Sequence, residues 1–137
     1  LEGKQGYERY QCIGKASGNC MNDQPGGSTT VGMGACLYNE AEWWDGQLNS
    51  VYTKLAQREK QSDAENKADG IIHAPEKFPR LRDMQRQWIM YRDAICDYEM
   101  SQWGGGTGTG PANAGCILNE TATQFLKLQG FYGYFEN

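Results

Sequence analysis

The sequence predicts an all-α fold: a single-domain antiparallel bundle of three main helices with a disulfide-tethered, irregular N-terminal arm. Two long stretches carry apolar residues at alternating steps of three and four, a spacing that lines one face of an α-helix. Polar, glycine-containing connections separate the helical stretches, and five cysteines offer cross-links within a chain of 137 residues. That length suits one domain with a core of its own.

The arm and the first helix come first in the chain. Residues 1–28 are rich in glycine and lack a long periodic pattern, so an irregular arm is predicted there. Thr29 or Thr30 is the expected N-cap of a helix that runs to about Lys60. Its predicted inward stripe consists of Leu37, Ala41, Trp44, Leu48, Val51 and Leu55.

Two more helices are predicted after this one. Residues 61–79 are polar and contain glycine and proline, so we interpret them as a loop. The second helix is expected from about Pro79 to Trp103, and a glycine-rich connector at 104–111 leads to the third helix at 112–129. The inward stripe of the second helix is predicted as Leu81, Met84, Trp88, Tyr91, Ile95 and Tyr98.

Residues 29–129 thus form the predicted core of the domain. The aromatic tail at 130–137 follows the last helix. We expect this tail to fold back over the bundle, because its aromatic side chains would otherwise remain in water.

Polar side chains beside the two stripes predict a network between the first two long helices. With these helices antiparallel, three pairs lie level: Asp45 with Arg92, Asn49 with Trp88, and Tyr52 with Gln85. Asp45 and Arg92 are expected to form an ion pair, because a buried charge needs a partner and a guanidinium suits a carboxylate. The alternative is a catalytic carboxylate at Asp45 or Asp93, which no accompanying nucleophile or histidine supports.

Composition argues against several classes of protein. The net charge of −4 comes from 17 acidic and 13 basic residues that are interspersed. A nucleic-acid-binding protein more often carries a basic patch, so no nucleic-acid partner is predicted. No apolar run reaches the roughly 18 residues of a membrane-spanning helix, so no transmembrane segment is predicted. The chain begins without methionine or a leader sequence, which is typical of a processed form.

No catalytic, cofactor or metal site is predicted. The chain has a single histidine, His73, and no Cys-x-x-Cys pair, so a zinc site has little support. The glycine run at 104–110 follows a helix and lacks the lysine of a phosphate-binding loop. The acidic residues show no spacing that selects the carboxylate pair of a glycosidase. We therefore interpret the cysteines as disulfide-forming, as expected in the periplasm or outside the cell.

A combination of residues resembles a known family. It runs Cys36, Glu40, Asp45, Leu48, Asn49, Tyr52 and Leu55, then Leu81, Gln85, Trp88, Arg92, Asp93 and Cys96, then Gly105-Gly106-Thr107, Cys116 and Thr121. The pattern spans about residues 29–129 and is similar to that of the LprI-type lysozyme inhibitor family of exported bacterial proteins. The resemblance implies a small helical, disulfide-bonded domain. The chain departs from the simplest family pattern in its additional arm cysteine and its long connection at 56–79.

The resemblance also implies a disulfide between Cys96 and Cys116, which would close the glycine-rich connector. Cys36 would then pair with a cysteine of the arm, and we favour Cys20, which precedes the Pro-Gly-Gly bend, over Cys12. Cys12 would be left over with a partner upstream of Leu1, or free. Direct pairing of Cys12 with Cys20 is the main alternative.

Our first functional hypothesis is a non-enzymatic binding protein, periplasmic or secreted, that inhibits a lysozyme-type muramidase by covering its cleft. The expected contact residues are Glu42, Trp43 and Asp97, although Trp43 is equally compatible with packing against the arm. A second hypothesis is an accessory or structural domain of the cell envelope with a bacterial partner. A hydrolase with paired carboxylates is the third, and the sequence disfavours it.

Overall fold

A computed structural model describes residues 6–136, with side chains described for residues 8–133. A 3₁₀-helix (Gly6–Cys12) precedes four α-helices: α1 (Lys15–Asp23), α2 (Thr30–Ala68), α3 (Lys77–Ser101) and α4 (Thr109–Glu136). The described residues form helices and turns without a β-strand, so the all-α prediction is confirmed. The outermost residues of the predicted arm and tail, 1–5 and 137, lie outside the described residues.

Helix α2 begins where the sequence indicates. Thr29 is its N-cap, and its hydroxyl accepts a hydrogen bond from the backbone N–H of Gly32 at 3.0 Å. Glycine is required at position 32, because a Cβ there would overlap the carbonyl oxygen of Gly26 in the preceding turn. Glycine lowers helix propensity, but at this position it allows the preceding turn to pack closely against the start of α2.

Helix α2 continues well past the predicted end at Lys60, so the loop predicted from residue 61 is wrong for residues 61–68. These residues are polar but contain neither glycine nor proline, and a polar sequence forms a helix on the surface as readily as a loop. The helix ends at Ala68, and Gly70, which follows the C-cap residue Asp69, has a left-handed φ of 73°. The backbone N–H of Ile71 then reaches the carbonyl oxygen of Asn66 at 2.8 Å.

The extended part of α2 fixes the start of α3. The Asp63 carboxylate accepts hydrogen bonds from the backbone N–H of Lys77 at 2.8 Å and of Phe78 at 2.9 Å. These are two of the N–H groups that lack partners in the first turn of any helix. Helix α3 consequently begins slightly before the predicted Pro79 and has its cap on another helix.

Helix α4 is longer than predicted at both ends, and residues 130–136 continue it instead of folding back over the bundle. Tyr132 packs against the core and lies under the guanidinium of Arg58, with 5.6 Å between the guanidinium carbon and the ring centroid. The Arg58 Nη1 also donates to the carbonyl oxygen of Tyr132 at 3.2 Å. Both contacts join Arg58 of α2 to Tyr132, so they hold this part of α4 beside α2.

The core lies mainly between α2 and α4. In this core the rings of Trp44 and Phe125 contact each other, with their centroids 5.7 Å apart. Its ten buried members are Ala41, Trp44, Leu48, Val51, Leu55, Leu118, Ala122, Phe125, Leu126 and Leu128. The predicted stripe of α2 is confirmed, since all of its members are in this cluster except Leu37, which packs against it.

Helix α3 turns only part of its predicted stripe to the core: Leu81 and Trp88 pack against the core cluster. Gln85 and Cys96 are its buried residues. Three members of the predicted inward stripe, Met84, Tyr91 and Tyr98, are instead 37%, 55% and 67% exposed. The inward side of α3 is therefore displaced from the predicted stripe toward Gln85 and Cys96, because a buried amide and a disulfide occupy it.

The predicted ion pair between Asp45 and Arg92 does not form. Asp45 is exposed, and its Oδ2 accepts a hydrogen bond from Asn49 Nδ2 at 3.4 Å, one turn along the same helix. Arg92 pairs with its neighbour Asp93 at 3.0 Å, and its guanidinium carbon lies 5.1 Å from the ring centroid of Trp88. Both charges thus find partners on their own helix.

The remaining level pair, Tyr52 with Gln85, is replaced by a contact with α4. The Nε2 of Gln124 donates to Oε1 of Gln85 at 2.9 Å, and both amides are buried. Tyr52 packs against the core cluster instead. The predicted ladder assumed that α2 and α3 adjoin along their whole length, whereas α4 is the main packing partner of α2.

Two disulfides lie at one end of the bundle. They join Cys20 to Cys36 and Cys96 to Cys116, the pairs expected above, with Cα–Cα distances of 5.7 and 5.5 Å, respectively. The arm, predicted to be irregular, contains the nine-residue helix α1, which the first disulfide attaches to α2. Cys12 keeps a free thiol. We call residues 8–50 and 87–123 the disulfide end.

Candidate binding surface at the disulfide end

A buried carboxylate, Glu40 of α2, organises the disulfide end. Its Oε2 accepts hydrogen bonds from the backbone N–H of Gly14 at 2.8 Å and from Trp44 Nε1 at 2.7 Å. Its Oε1 accepts one from the backbone N–H of Ser17 at 2.7 Å. Burial alone would raise the pKa of Glu40, but the hydrogen bonds from Trp44, Gly14 and Ser17 outweigh it and lower that pKa. Glu40 is therefore a buried anion held by three donors.

Glu40 supplies the cap that α1 lacks in its own sequence. The N-cap residue of α1 is Gly14, which has a φ of 92° and no side chain that could accept a hydrogen bond. A carboxylate at this position also interacts favourably with the positive end of the helix dipole. Together with the Cys20–Cys36 bond, Glu40 attaches α1 to α2 at two separate points.

An open cavity of about 630 Å³ lies between the arm and α2. Lys15 of α1 and Asn39 of α2 contribute polar groups to its wall, and Trp43 and Trp44 contribute aromatic rings. Trp43 is 51% exposed, and its ring meets that of Trp44 edge-on with centroids 4.9 Å apart. Trp43 therefore both lines the cavity beside the arm and presents an accessible aromatic face.

Charge is segregated along the bundle. The disulfide end carries nine acidic and three basic side chains, a net charge of −6. The other described side chains, in residues 51–86 and 124–133, comprise six acidic and nine basic groups, a net charge of +3. The acidic end is assembled from the arm and from parts of three long helices, so its charge is not visible as a block in the sequence.

The three predicted contact residues all lie at this acidic end but on two helices. Glu42 and Trp43 are exposed neighbours on α2, beside the cavity under the arm. Asp97 is exposed on α3, which contributes no wall to that cavity, and Tyr91 and Tyr98 are exposed on the same helix. The surface thus combines anions with accessible aromatic rings, a composition suited to recognition of a cationic partner.

The described part of the chain contains no cluster of three or more His, Cys, Asp or Glu side chains that could hold a metal ion. Within residues 6–136, no helix is both long enough and apolar enough to cross a membrane.

Comparison with protein families gives a match over most of the chain. Residues 20–128 match the family described as Lysozyme inhibitor LprI. The chain belongs to the LprI family. No curated protein and no solved structure gives a significant match. The family resemblance inferred from the sequence is thereby confirmed.

The LprI match begins at Cys20 and therefore contains all four disulfide-bonded cysteines. Gly14 and Ser17, the two backbone donors to Glu40, precede the matched region. The first turn of α1 thus lies before the matched region, and a residue within that region caps it.

Sequence reasoning missed the roles of Glu40 and Asp63 in this LprI protein. Both carboxylates cap a helix that is distant in sequence, and the usual capping signals are local. One local signal was present for Glu40: Trp44 follows it by four residues, and side chains at that spacing meet on a helix surface. No such local signal accompanies Asp63, which lies in a polar stretch among other charged residues.

Proposed function

We propose that this LprI-family protein is an exported, non-enzymatic inhibitor that binds a lysozyme-type muramidase and covers its substrate cleft. It acts by occlusion, without making or breaking a covalent bond. Family membership over residues 20–128 supports a lysozyme partner, and the net charge of −6 at the disulfide end is the observation that carries the proposed location of contact. The expected site of action is the periplasm or the exterior of the cell.

Electrostatic complementarity is the physical basis of this proposal. An acidic surface attracts a cationic enzyme over a distance of about a Debye length, roughly 8 Å at physiological ionic strength. This attraction raises the association rate and orients the encounter. The basic opposite end, with a net charge of +3, repels the same partner, so the polarity of the bundle favours docking through the disulfide end.

Aromatic side chains supply the short-range part of the contact. Trp43 is the proposed anchor, because tryptophan is frequent among residues that dominate binding energy and this ring is accessible. Glu42 and Asp97 are proposed to pair with cationic groups of the partner at the rim. The two disulfides and the Glu40 contacts hold α1, α2 and α3 in place before binding, which reduces the entropy lost on association.

The test is inhibition of lysozyme-driven cell-wall lysis by the oxidised protein, with c-type, g-type and i-type enzymes at two salt concentrations. We expect stoichiometric inhibition of one class that weakens with salt. Glu42→Gln combined with Asp97→Asn should weaken inhibition about three- to tenfold, a range typical of one or two rim charges. The matched control is Asp69→Asn with Glu76→Gln, which removes the same charge from exposed positions outside the disulfide end. Failure to inhibit any class would refute the proposal.

A second candidate is an accessory domain of the cell envelope that binds a bacterial partner through apolar contact. The observation that favours it is the exposed side of α3, where Met90, Tyr91 and Tyr98 lie in solvent. Binding that depends on these apolar side chains would be insensitive to salt, whereas docking that depends on the acidic side chains of the disulfide end would weaken with salt. The same salt series therefore separates the two candidates.

A further inference from the structure

A second cavity lies away from the disulfide end, where α2, α3 and α4 meet. Its volume is about 510 Å³, within the range of roughly 300–1,000 Å³ typical of small-ligand sites. We call it the three-helix cleft. None of the residues that line the cavity under the arm lines this cleft.

The floor and walls of the three-helix cleft are apolar. Leu55 of α2 and Leu128 of α4 are buried members of the core and form its floor. Met84 of α3 and Phe131 of α4 form walls and are 37% and 61% exposed, respectively. The cleft thus leads from solvent down to the core between two accessible apolar side chains.

The polar groups inside the cleft are already satisfied. The Nε2 of Gln124 donates to Gln85 at 2.9 Å and lies 3.4 Å from the sulfur of Met84. Glu59 is paired with Arg58 at 2.9 Å. A ligand inside the cleft therefore needs no polar atom along its length to compensate a buried donor or acceptor.

The rim of the cleft is cationic. Arg80 and Lys127 are exposed at its edge on α3 and α4, and the charge of Arg58 is balanced by Glu59. Arg80 uses Nη1 to contact the carbonyl oxygen of Glu76 at 2.7 Å, which leaves other N–H groups of its guanidinium for an anion. Two cationic side chains thus lie at the rim of the apolar three-helix cleft.

We propose that the three-helix cleft binds a single-chain amphipathic anion: an acyl chain lies along Leu55, Met84, Leu128 and Phe131, and its carboxylate or phosphate contacts Arg80 and Lys127. The apolar lining matches the hydrocarbon chain, and the rim matches the charge of the head group. A free fatty acid and an anionic lysophospholipid share this chemistry. This proposal does not depend on lysozyme binding, because the cleft and the disulfide end share no lining residue.

The test uses isothermal titration calorimetry on the oxidised full chain, with each ligand kept below its micelle concentration. The ligands are laurate, lauroyl lysophosphatidylglycerol and the neutral dodecyl maltoside. We expect one-to-one binding of at least one anion and weaker binding of the maltoside. Binding of laurate alone would identify a fatty acid as the source, and binding of the lysophospholipid alone would identify a phospholipid.

Variants at the rim test the assigned contacts. Arg80→Gln combined with Lys127→Gln should weaken binding of the anion about tenfold and leave the maltoside unchanged. The matched control, Lys67→Gln with Lys77→Gln, removes two exposed cations on the same half of the molecule outside the cleft. Amide chemical-shift changes in the wild-type chain should centre on Leu55, Leu128 and Phe131.

Four results would overturn the proposal. The first is the absence of binding for both anions. The second is equal affinity for the anions and the neutral maltoside. The third is unchanged anion affinity in the rim variant. The fourth is a set of chemical-shift changes confined to residues outside the three-helix cleft. Each result can be obtained whether or not the protein inhibits a lysozyme.

Discussion

Replacing Glu40 by glutamine should destabilise the protein by about 2–3 kcal/mol, although the side chain keeps its size. The carbonyl oxygen of glutamine can still accept from two of the three donors, but these bonds lose the negative charge that strengthens them. The amide nitrogen then faces the remaining donor, which is left without an acceptor. The cost stays below the sum of these losses because a buried carboxylate no longer has to be desolvated.

Urea unfolding of the oxidised protein, followed by circular dichroism, measures this effect. With a urea dependence of roughly 1–3 kcal/mol per molar, the midpoint should fall by about 0.7–3 M. Near-ultraviolet circular dichroism should also change, because the Trp44 indole loses a charged acceptor. The control is Glu42→Gln, an exposed neighbour on the same helix, which should alter stability by less than about 0.5 kcal/mol.

The stabilisation from Glu40 should depend on pH in a defined direction. Because folding lowers the pKa of Glu40, its contribution is complete above the ordinary pKa of a glutamate and is lost as the pH falls through the lowered value. The difference in stability between wild type and Glu40→Gln should therefore shrink on acidification. A difference that grows in acid, or a variant as stable as wild type at pH 7, would refute the role assigned to this carboxylate.

Two further perturbations test the other attachments of the helices. Asp63→Ala should cost about 1–2 kcal/mol in urea unfolding, because two N–H groups at the start of α3 lose their cap; an unchanged midpoint would contradict that role. Replacing Cys96 and Cys116 together by alanine should cost about 3 kcal/mol for a loop of this size, with far-ultraviolet circular dichroism retained. A loss below about 1 kcal/mol would mean that packing alone holds α3 to α4.

The parts of the fold that could be predicted from the sequence are those marked by a regular repeat of apolar residues or by a local capping residue. The stripe from Ala41 to Leu55 identified the core side of α2, and Thr29 identified its start. The end of α2 was missed because a polar surface helix and a polar loop have similar composition. The inward side of α3 was predicted only in part: Leu81 and Trp88 pack against the core, but Gln85 is buried by its contact with Gln124, a pairing that depends on tertiary packing.

The candidate site was less accessible to prediction than the fold. Glu42, Trp43 and Asp97 could be proposed as exposed from their positions beside apolar stripes, and the described side chains are exposed. Glu42 and Trp43 lie on α2 and Asp97 lies on α3, but the cavity that Trp43 lines depends on the position of α1, which no local pattern specifies. The charge segregation likewise depends on the antiparallel arrangement, because it brings acidic residues of distant segments to one end.

The two cross-links also determine how the molecule responds to proteases. The exposed glycine-rich connector between α3 and α4 is the kind of segment that proteases cut first. A single cut between Cys96 and Cys116 leaves both fragments covalently joined, and the Cys20–Cys36 bond does the same for the turn before α2. A nicked molecule therefore keeps its two pieces together until its disulfides are reduced. The first cleavage is then a change in the chain rather than the loss of the domain.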